Sequence, residues 1–270
     1  IESGYSKFSL IGIPAEEFPE LPKLTDATAI QLPAGVLKSM IRQTVFAVAE
    51  SDAKPIHQGS LFHIENGMLD VVSVDGYRLA KRTEPVDFPQ DLSFVVPGKT
   101  LTEILKLLKD SDDKVELAAG RRHILFTIDN YTVISSLLEG EFLNYKAAIP
   151  AESKTQVVLR VREAIDSVER VSLLITDRLK SPVRCLFADN EVKLNCTTSM
   201  GRASDQIDVE MTGQSVEIGF NNRYLLEALR NTECDEVKVQ LGGPLSPMKV
   251  VPKEGNSFLF LVLPVRLKSE

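Results

Sequence analysis

Phe8-Ser9-Leu10-Ile11-Gly12-Ile13-Pro14, Ile134-Ser135-Ser136-Leu137-Leu138 and Phe258-Leu259-Phe260-Leu261-Val262-Leu263-Pro264 are three versions of one apolar segment. The first two run on alike, into Glu17-Phe18 and Glu141-Phe142, and Phe18 and Phe142 stand 124 positions apart. Pro14 and Pro264 stand 250 apart, two such steps. A repeat governs architecture before any local signal does, because each copy must fold the same way.

The interior of each step repeats as well. The first full unit opens at Ile30-Gln31-Leu32 and continues into a helical pattern over Leu37–Ala49. It then carries a hairpin, Leu61–Ile64 and Leu69–Val74 around Glu65-Asn66-Gly67; Asn-Gly between alternating strands is a strong hairpin signal. A strand at Leu92–Val96, a helix at Lys99–Lys109 and strands at Val115–Leu117, His123–Ile128 and Tyr131–Leu137 complete it. The second unit keeps the order: strand Val157–Leu159, helix Arg162–Leu173, and a hairpin of Cys185–Ala188 and Val192–Thr197 around Asp189-Asn190. Strand Val216–Phe220, helix Asn222–Arg230 and strands Val237–Leu241, Met248–Val251 and Phe258–Leu263 follow. The pattern predicts an α+β fold, each unit carrying two helices on antiparallel sheets. Units are expected over 26–150 and 151–270. Residues 1–25 match a unit's end, so they are expected to be the last strand of a truncated first unit plus a connector bearing Pro14, Pro19 and Pro22.

A length of 270 residues suits two domains. No apolar run approaches the roughly 18–20 residues of a membrane span, and Ile1–Gly4 has no leader pattern. Cys185, Cys196 and Cys234 form no C-x-x-C pair, which predicts buried thiols in a reducing cytoplasm. His57, His63 and His123 lack metal-ligand spacing, and His63 in its alternating strand is expected at the surface. No phosphate loop, dinucleotide fingerprint or nucleophile elbow is present, so no catalytic residue, metal or cofactor is predicted.

The net charge of −7 argues against a polyanionic partner, but its distribution does not. Leu37, Met40, Ile41, Val45 and Val48 make an apolar stripe, leaving Lys38 and Arg42 opposite; Leu101, Ile104, Leu105 and Leu108 do the same for Lys99, Lys106 and Lys109. Arg162 and Arg170 lie off the face of Val161, Ile165, Val168 and Ser172, while Arg223 and Arg230 lie off that of Leu225, Leu226 and Leu229. These nine bases face five helical acids, Glu103, Glu163, Asp166, Glu169 and Glu227. With all helices on one side, one surface would be positive and attract phosphates without reading bases. Taken alone, the same charge also suits ordinary solvated helices.

Val74-Asp75-Gly76-Tyr77-Arg78-Leu79-Ala80 resembles the Thr-Asp-Gly-His-Arg-Leu-Ala segment of the bacterial β sliding clamp family, the processivity subunit of DNA polymerase III. Leu263-Pro264-Val265-Arg266-Leu267 is similar to that family's Met-Pro-Met-Arg-Leu ending, and Phe220-Asn221-Asn222-Arg223-Tyr224 and Glu141-Phe142-Leu143-Asn144-Tyr145 also fit. The resemblance implies a non-catalytic clamp: two subunits of three domains close head to tail around duplex DNA, helices inside and sheets outside. Its helical bases would face DNA.

The resemblance further implies a pocket between the second and third domains for short motifs of polymerases, the clamp loader and repair proteins. Matching positions are His57, Val74, Gly76, Tyr77, Arg78 and Leu79, then Leu143, Ala147 and Ala148. Asn221, Tyr224, Leu245, Leu261, Leu263, Pro264, Val265 and Arg266 come from the third domain. Phe8, Leu173 and Leu174 match the contact between subunits. Tyr77 replaces a His, Leu143 stands where Pro is common, Ala147-Ala148 replace a basic-apolar pair, and Lys268-Ser269-Glu270 extend past the usual end. Physically, a groove floored by Leu79, Leu263 and Val265 and edged by Arg78 and Arg266 suits a peptide with apolar anchors and an acidic residue. An adaptor of the same fold that ignores DNA, and an enzyme using Asp75, Arg78 and His57, are the alternatives; the latter lacks a placed nucleophile or base.

Overall fold

A computed structural model describes residues 1–18, 24, 27–51, 54–176, 179 and 181–267. Short strands β1 (Glu2–Ser3) and β2 (Ser6–Lys7) pair only with each other. The first full unit comprises β3 (Thr28–Pro33), α1 (Ala34–Val45), β4 (Gly59–Glu65), β5 (Met68–Val74), β6 (Arg78–Pro85), β7 (Leu92–Pro97), α2 (Gly98–Leu107), β8 (Lys114–Ala119), β9 (His123–Ile128) and β10 (Tyr131–Ser136). A one-turn helix, α3 (Tyr145–Ala148), sits in the connection. The second unit comprises β11 (Thr155–Arg160), α4 (Val161–Ser172), β12 (Val183–Ala188), β13 (Glu191–Thr198), β14 (Gly201–Asp208), β15 (Glu210–Gly213), β16 (Val216–Phe220), α5 (Asn222–Arg230), β17 (Glu236–Leu241), β18 (Met248–Pro252) and β19 (Phe258–Val262).

The hairpins fold for one reason. Asn66 and Gly67 take φ of 52° and 71°, and Asp189 and Asn190 take 56° and 59°. Two consecutive left-handed residues match the natural twist of paired strands. The first long helix of each unit also starts alike: carbonyls of a neighbouring loop, Asp113 and Ser111 for α1 and Asp235 for α4, accept the first free N–H groups, at 2.8 Å.

The two units share a sheet. β19 of the second pairs antiparallel with β6 of the first, giving nine strands in the order β15-β11-β17-β18-β19-β6-β5-β4-β7. Each unit adds a four-stranded sheet, β10-β9-β8-β3 and β14-β13-β12-β16. Phe260, Ala80, Ser73, Ser60 and Val96 form one row across the junction. At its ends Phe260 packs in the core with α4 and α5, and Val96 in the core with α1 and α2. The four long helices therefore lie on one side of the shared sheet. Phe258 and Phe260 stack at 4.8 Å, and Phe46, just beyond α1, meets Phe260 edge-on at 5.3 Å. Such a buried Phe contributes about 3–5 kcal/mol against Ala.

Three expectations change. Phe8–Pro14 forms no strand, and residues 1–18 are exposed throughout. A strand needs a neighbouring strand for its N–H and C=O groups, and among the described residues none stands beside this segment. Pro19, Pro22 and Lys268–Glu270 lie outside the described residues. Cys234 is exposed rather than buried, while Cys185 and Cys196 are buried. The first helix runs over Ala34–Val45, not Leu37–Ala49, because beyond Phe46 the Ala47 and Val48 N–H groups donate to Thr44 O and Val45 O, three residues back, and the chain tightens into turns.

Candidate functional site at the shared strand pair

The β5–β6 turn is built by Asp75. Its Oδ1 accepts the N–H groups of Tyr77 (2.9 Å) and Arg78 (3.0 Å), and Gly76 takes φ of 86°, which favours glycine. The turn delivers Arg78 opposite Val262 and Leu79 opposite Leu261, and the Leu263 N–H donates to Tyr77 O at 2.9 Å. Two motifs nearly 200 positions apart thereby become neighbours. Past Pro264, the Val265 N–H donates to Gly219 O at 2.8 Å, laying the C-terminal tail along β16.

Successive strand residues point to opposite faces, which separates residues the sequence seemed to group. Val74, Leu79 and Leu261 are buried on the face away from the helices, under Phe142, Tyr145 and Ile149 of the connection. His57 is buried there too, edge-on to Phe142 at 5.6 Å. Arg78 points the other way, correcting its expected place at the groove's edge. It is 5% exposed, bonds Asp75 Oδ2 through Nε at 2.8 Å and Glu227 through Nη1, and lies over Tyr224 (4.7 Å to the ring) and Phe46 (5.6 Å). This arginine locks the two units together and is not free to meet a ligand carboxylate. Asn221 is likewise occupied, its side chain capping α5 by accepting the N–H groups of Arg223 and Tyr224.

Exposed apolar side chains remain around this junction. Tyr77 (61%) stacks on Tyr224 at 5.9 Å, and Leu263 (38%) and Val265 (39%) follow on the tail. Pro264 is half-buried; Arg266 and Gly76 are exposed. A cavity of about 500 Å³ opens beside them, lined by Tyr224 and Val265 and by Ile175, Thr176, Ser181 and Pro182, which the sequence did not single out. Leu143, Ala147 and Ala148 are exposed on the connection, and Leu245 on the loop before β18. The connection is anchored from below. Tyr145 donates to Asp70 (2.8 Å), Lys249 donates to Pro150 O (2.9 Å), and Lys146 pairs with Glu65. Burial, then the Asp70 carboxylate, raises the Tyr145 hydroxyl pKa, and burial lowers that of the Lys249 ammonium. His63, expected at the surface, is half-buried, edge-on to Tyr145 at 6.3 Å.

The helical charge also changes on inspection. Lys38 pairs with Asp110, Arg42 with Glu233, Lys106 with Glu103 and Lys109 with Asp129. Arg162 pairs with Asp166, Arg170 with Asp205, Arg223 with Glu50 and Glu227, and Arg230 with Glu169. Asp110, Asp129, Asp205, Glu233 and Glu50 lie outside the helices, so eight of the nine bases have a carboxylate within ion-pair distance and the face is less positive than the helices alone suggest. Lys99 has no carboxylate partner among the described residues. Exposed pairs of this kind contribute about 0–1 kcal/mol each, so a phosphate can displace them. Of the expected subunit-contact residues, Leu173 is 81% exposed and Phe8 62%, while Leu174 is half-buried.

Two like α+β units joined through one sheet, with their long helices on a single side, define a DNA-clamp fold. The family model described as DNA polymerase III beta subunit, central domain, matches residues 31–144, and its C-terminal domain model matches 146–266. The Bacillus subtilis beta sliding clamp is 33% identical over 98% of this chain and 72% of its own. The crystal structure of the sliding clamp from that organism superposes with a TM-score of 0.93 at 31% identity, over 99% of this chain and 72% of its own. A Pseudomonas aeruginosa sliding clamp bound to griselimycin gives 0.91 at 27% identity, over 98% and 72%. The chain belongs to the DNA polymerase III beta subunit family, the bacterial β sliding clamps. It is a DNA sliding clamp, a processivity subunit that is not itself catalytic.

Proposed function

We propose that the chain supplies the partner-binding part of a cytoplasmic clamp ring and recruits polymerases, the clamp loader and repair proteins through the apolar groove at the β6–β19 junction. The single observation that carries this reading is the row of solvent-open apolar side chains, Tyr77, Leu263 and Val265, beside a cavity of about 500 Å³. Exposed apolar patches rimmed by polar residues suit protein partners. Tyr77, Tyr224, Leu263 and Val265 form its inner part, and Leu143, Ala147, Ala148, Leu245 and Arg266 its rim. Val74, Leu79, Leu261 and His57 support it from beneath, and Arg78 holds its two halves in register. Units over 26–150 and 151–270 would be the second and third of three; with a full first unit, two subunits would close head to tail as a homodimer, with Leu173, Leu174 and Phe8 at the contact. The helices would face duplex DNA of any sequence, holding phosphates loosely through displaceable ion pairs.

The test is an amide-exchange footprint. A Gln-x-x-Leu-Phe peptide with alanine and aspartate at the x positions should slow exchange at Tyr77 and Val265 and leave α1 and α2 unchanged. Protection confined to the helices would refute this placement.

A further inference from the structure

We infer that Gly219 is the seat of the groove's C-terminal wall: its missing side chain lets the tail lie against β16 and holds Val265 at the cavity. This rests on the groove proposed above and names a positioning residue for it. Gly219 is not in the left-handed region, so space rather than backbone conformation is what glycine provides. A Cβ there would stand 2.5 Å from Leu267 Cδ2, 2.9 Å from Val265 O and 3.1 Å from Leu267 Cγ. Ordinary carbon contacts need roughly 3.5–4.0 Å, so the tail would have to lift by about 1 Å. The glycine carbonyl also accepts the Val265 N–H at 2.8 Å, so lifting the tail breaks that bond. β16 cannot yield instead, because Ile218 and Phe220 on either side are fully buried.

The first unit lays its chain down alike but without the glycine. Leu138, on the segment leaving β10, donates its N–H to Val95 O of β7 at 2.9 Å, so a valine stands where the second unit has Gly219. Both units therefore lay the chain that leaves their last strand along the strand before their second helix, and the second does so over a bare glycine. In the first unit that chain becomes the connection between units. In the second it stays open to solvent and ends in the groove.

The experiment uses the full chain and two readouts. Amide exchange at Val265 reports the seat directly. Anisotropy of the dye-labelled Gln-Ala-Asp-Leu-Phe peptide reports the groove. Gly219→Ala should speed Val265 exchange and weaken peptide binding by about tenfold or more, as loss of an interface anchor does. Leu267→Ala should weaken binding slightly in the native chain but strengthen it in the Gly219→Ala background, because it removes the closest clash and the third, leaving only that with Val265 O at 2.9 Å. That reversal of sign would not arise from general destabilisation. Should Gly219→Ala fail to fold, Leu267→Ala alone must still speed Val265 exchange. Unchanged Val265 exchange overturns the seat. Faster exchange with unaltered affinity overturns its role in the groove. In that case, deleting Val265–Glu270 separates the two ideas: lost binding leaves the groove standing, and retained binding removes the groove as well.

Discussion

Arg78→Ala should destabilise the junction between units more than it alters any surface. The guanidinium is 5% exposed, Asp75 and Glu227 are its carboxylate partners at 11% and 26% side-chain exposure, and two rings flank it. A charge-assisted hydrogen bond contributes about 1.5–3 kcal/mol and a partly desolvated cation–π contact about 0.5–2. The carboxylates are not stranded by the change. Asp75 keeps two backbone N–H donors and Glu227 keeps Arg223. The net loss should therefore fall near 3 kcal/mol, at the low end for breaking a buried pair. At roughly 2–4 °C per kcal/mol for a cooperative body of about 150–250 residues, the joint transition of the two units melting together should drop by about 6–12 °C in differential scanning calorimetry. A double-mutant cycle with Glu227→Gln should show coupling of about 1–2 kcal/mol. A melting temperature within 2 °C of the native chain, or additive effects in the cycle, would refute the lock.

Burial works to raise the Asp205 carboxyl pKa, but the Gln206 N–H and the Arg170 guanidinium outweigh it and hold it below the usual carboxylate range. A depressed carboxylate stabilises the fold above its unfolded pKa of about 4 and loses that contribution as pH falls through its folded value. The native chain should thus lose more melting temperature than Asp205→Asn between pH 5 and pH 3, and parallel curves would count against this. Burial raises all three thiols, Cys185 to about 12, but only Cys234 is exposed, so a thiol reagent should label Cys234 first and the other two only on unfolding. Equal labelling of all three in the native chain would contradict the packing. Lys99→Glu should weaken sequence-independent retention on duplex DNA at low salt more than Lys106→Glu, because Lys106 is already paired with Glu103. Anisotropy on one duplex decides it, and equal losses would show that local pairing does not govern the face.

The repeat made most of the fold legible. Hairpins with Asn-Gly or Asp-Asn turns and helices with clean apolar stripes fall within a few residues of where the pattern puts them. What was illegible follows from chemistry. β14 reads Gly201-Arg202-Ala203-Ser204-Asp205-Gln206-Ile207-Asp208, with too few apolar residues to show a two-residue period. β6 hides similarly behind Lys81, Arg82 and Glu84. The groove's segments could be named from sequence, but not the direction of each side chain. Arg78 and Leu79 are adjacent in the chain, and the pleat sends them to opposite faces. The ion pairs that offset the helical charge were hidden too, since Asp110, Asp129, Asp205 and Glu233 reach the helices from loops and strands. The Gly219 seat had a trace in the repeat, because the chain leaving each last strand is disposed alike, but only a built Cβ shows why glycine is there.

The central claim is that partners dock at the β6–β19 junction, on a surface distinct from the helical face. Calorimetric titration of the Gln-Ala-Asp-Leu-Phe peptide against Leu263→Asp and Lys106→Glu tests it most directly. Leu263 is 38% exposed in the groove, and Lys106 lies on α2, paired with Glu103. Binding should vanish in Leu263→Asp and match the native chain in Lys106→Glu. Intact binding in the first, or lost binding in the second, would place the partner site on the wrong side of the sheet.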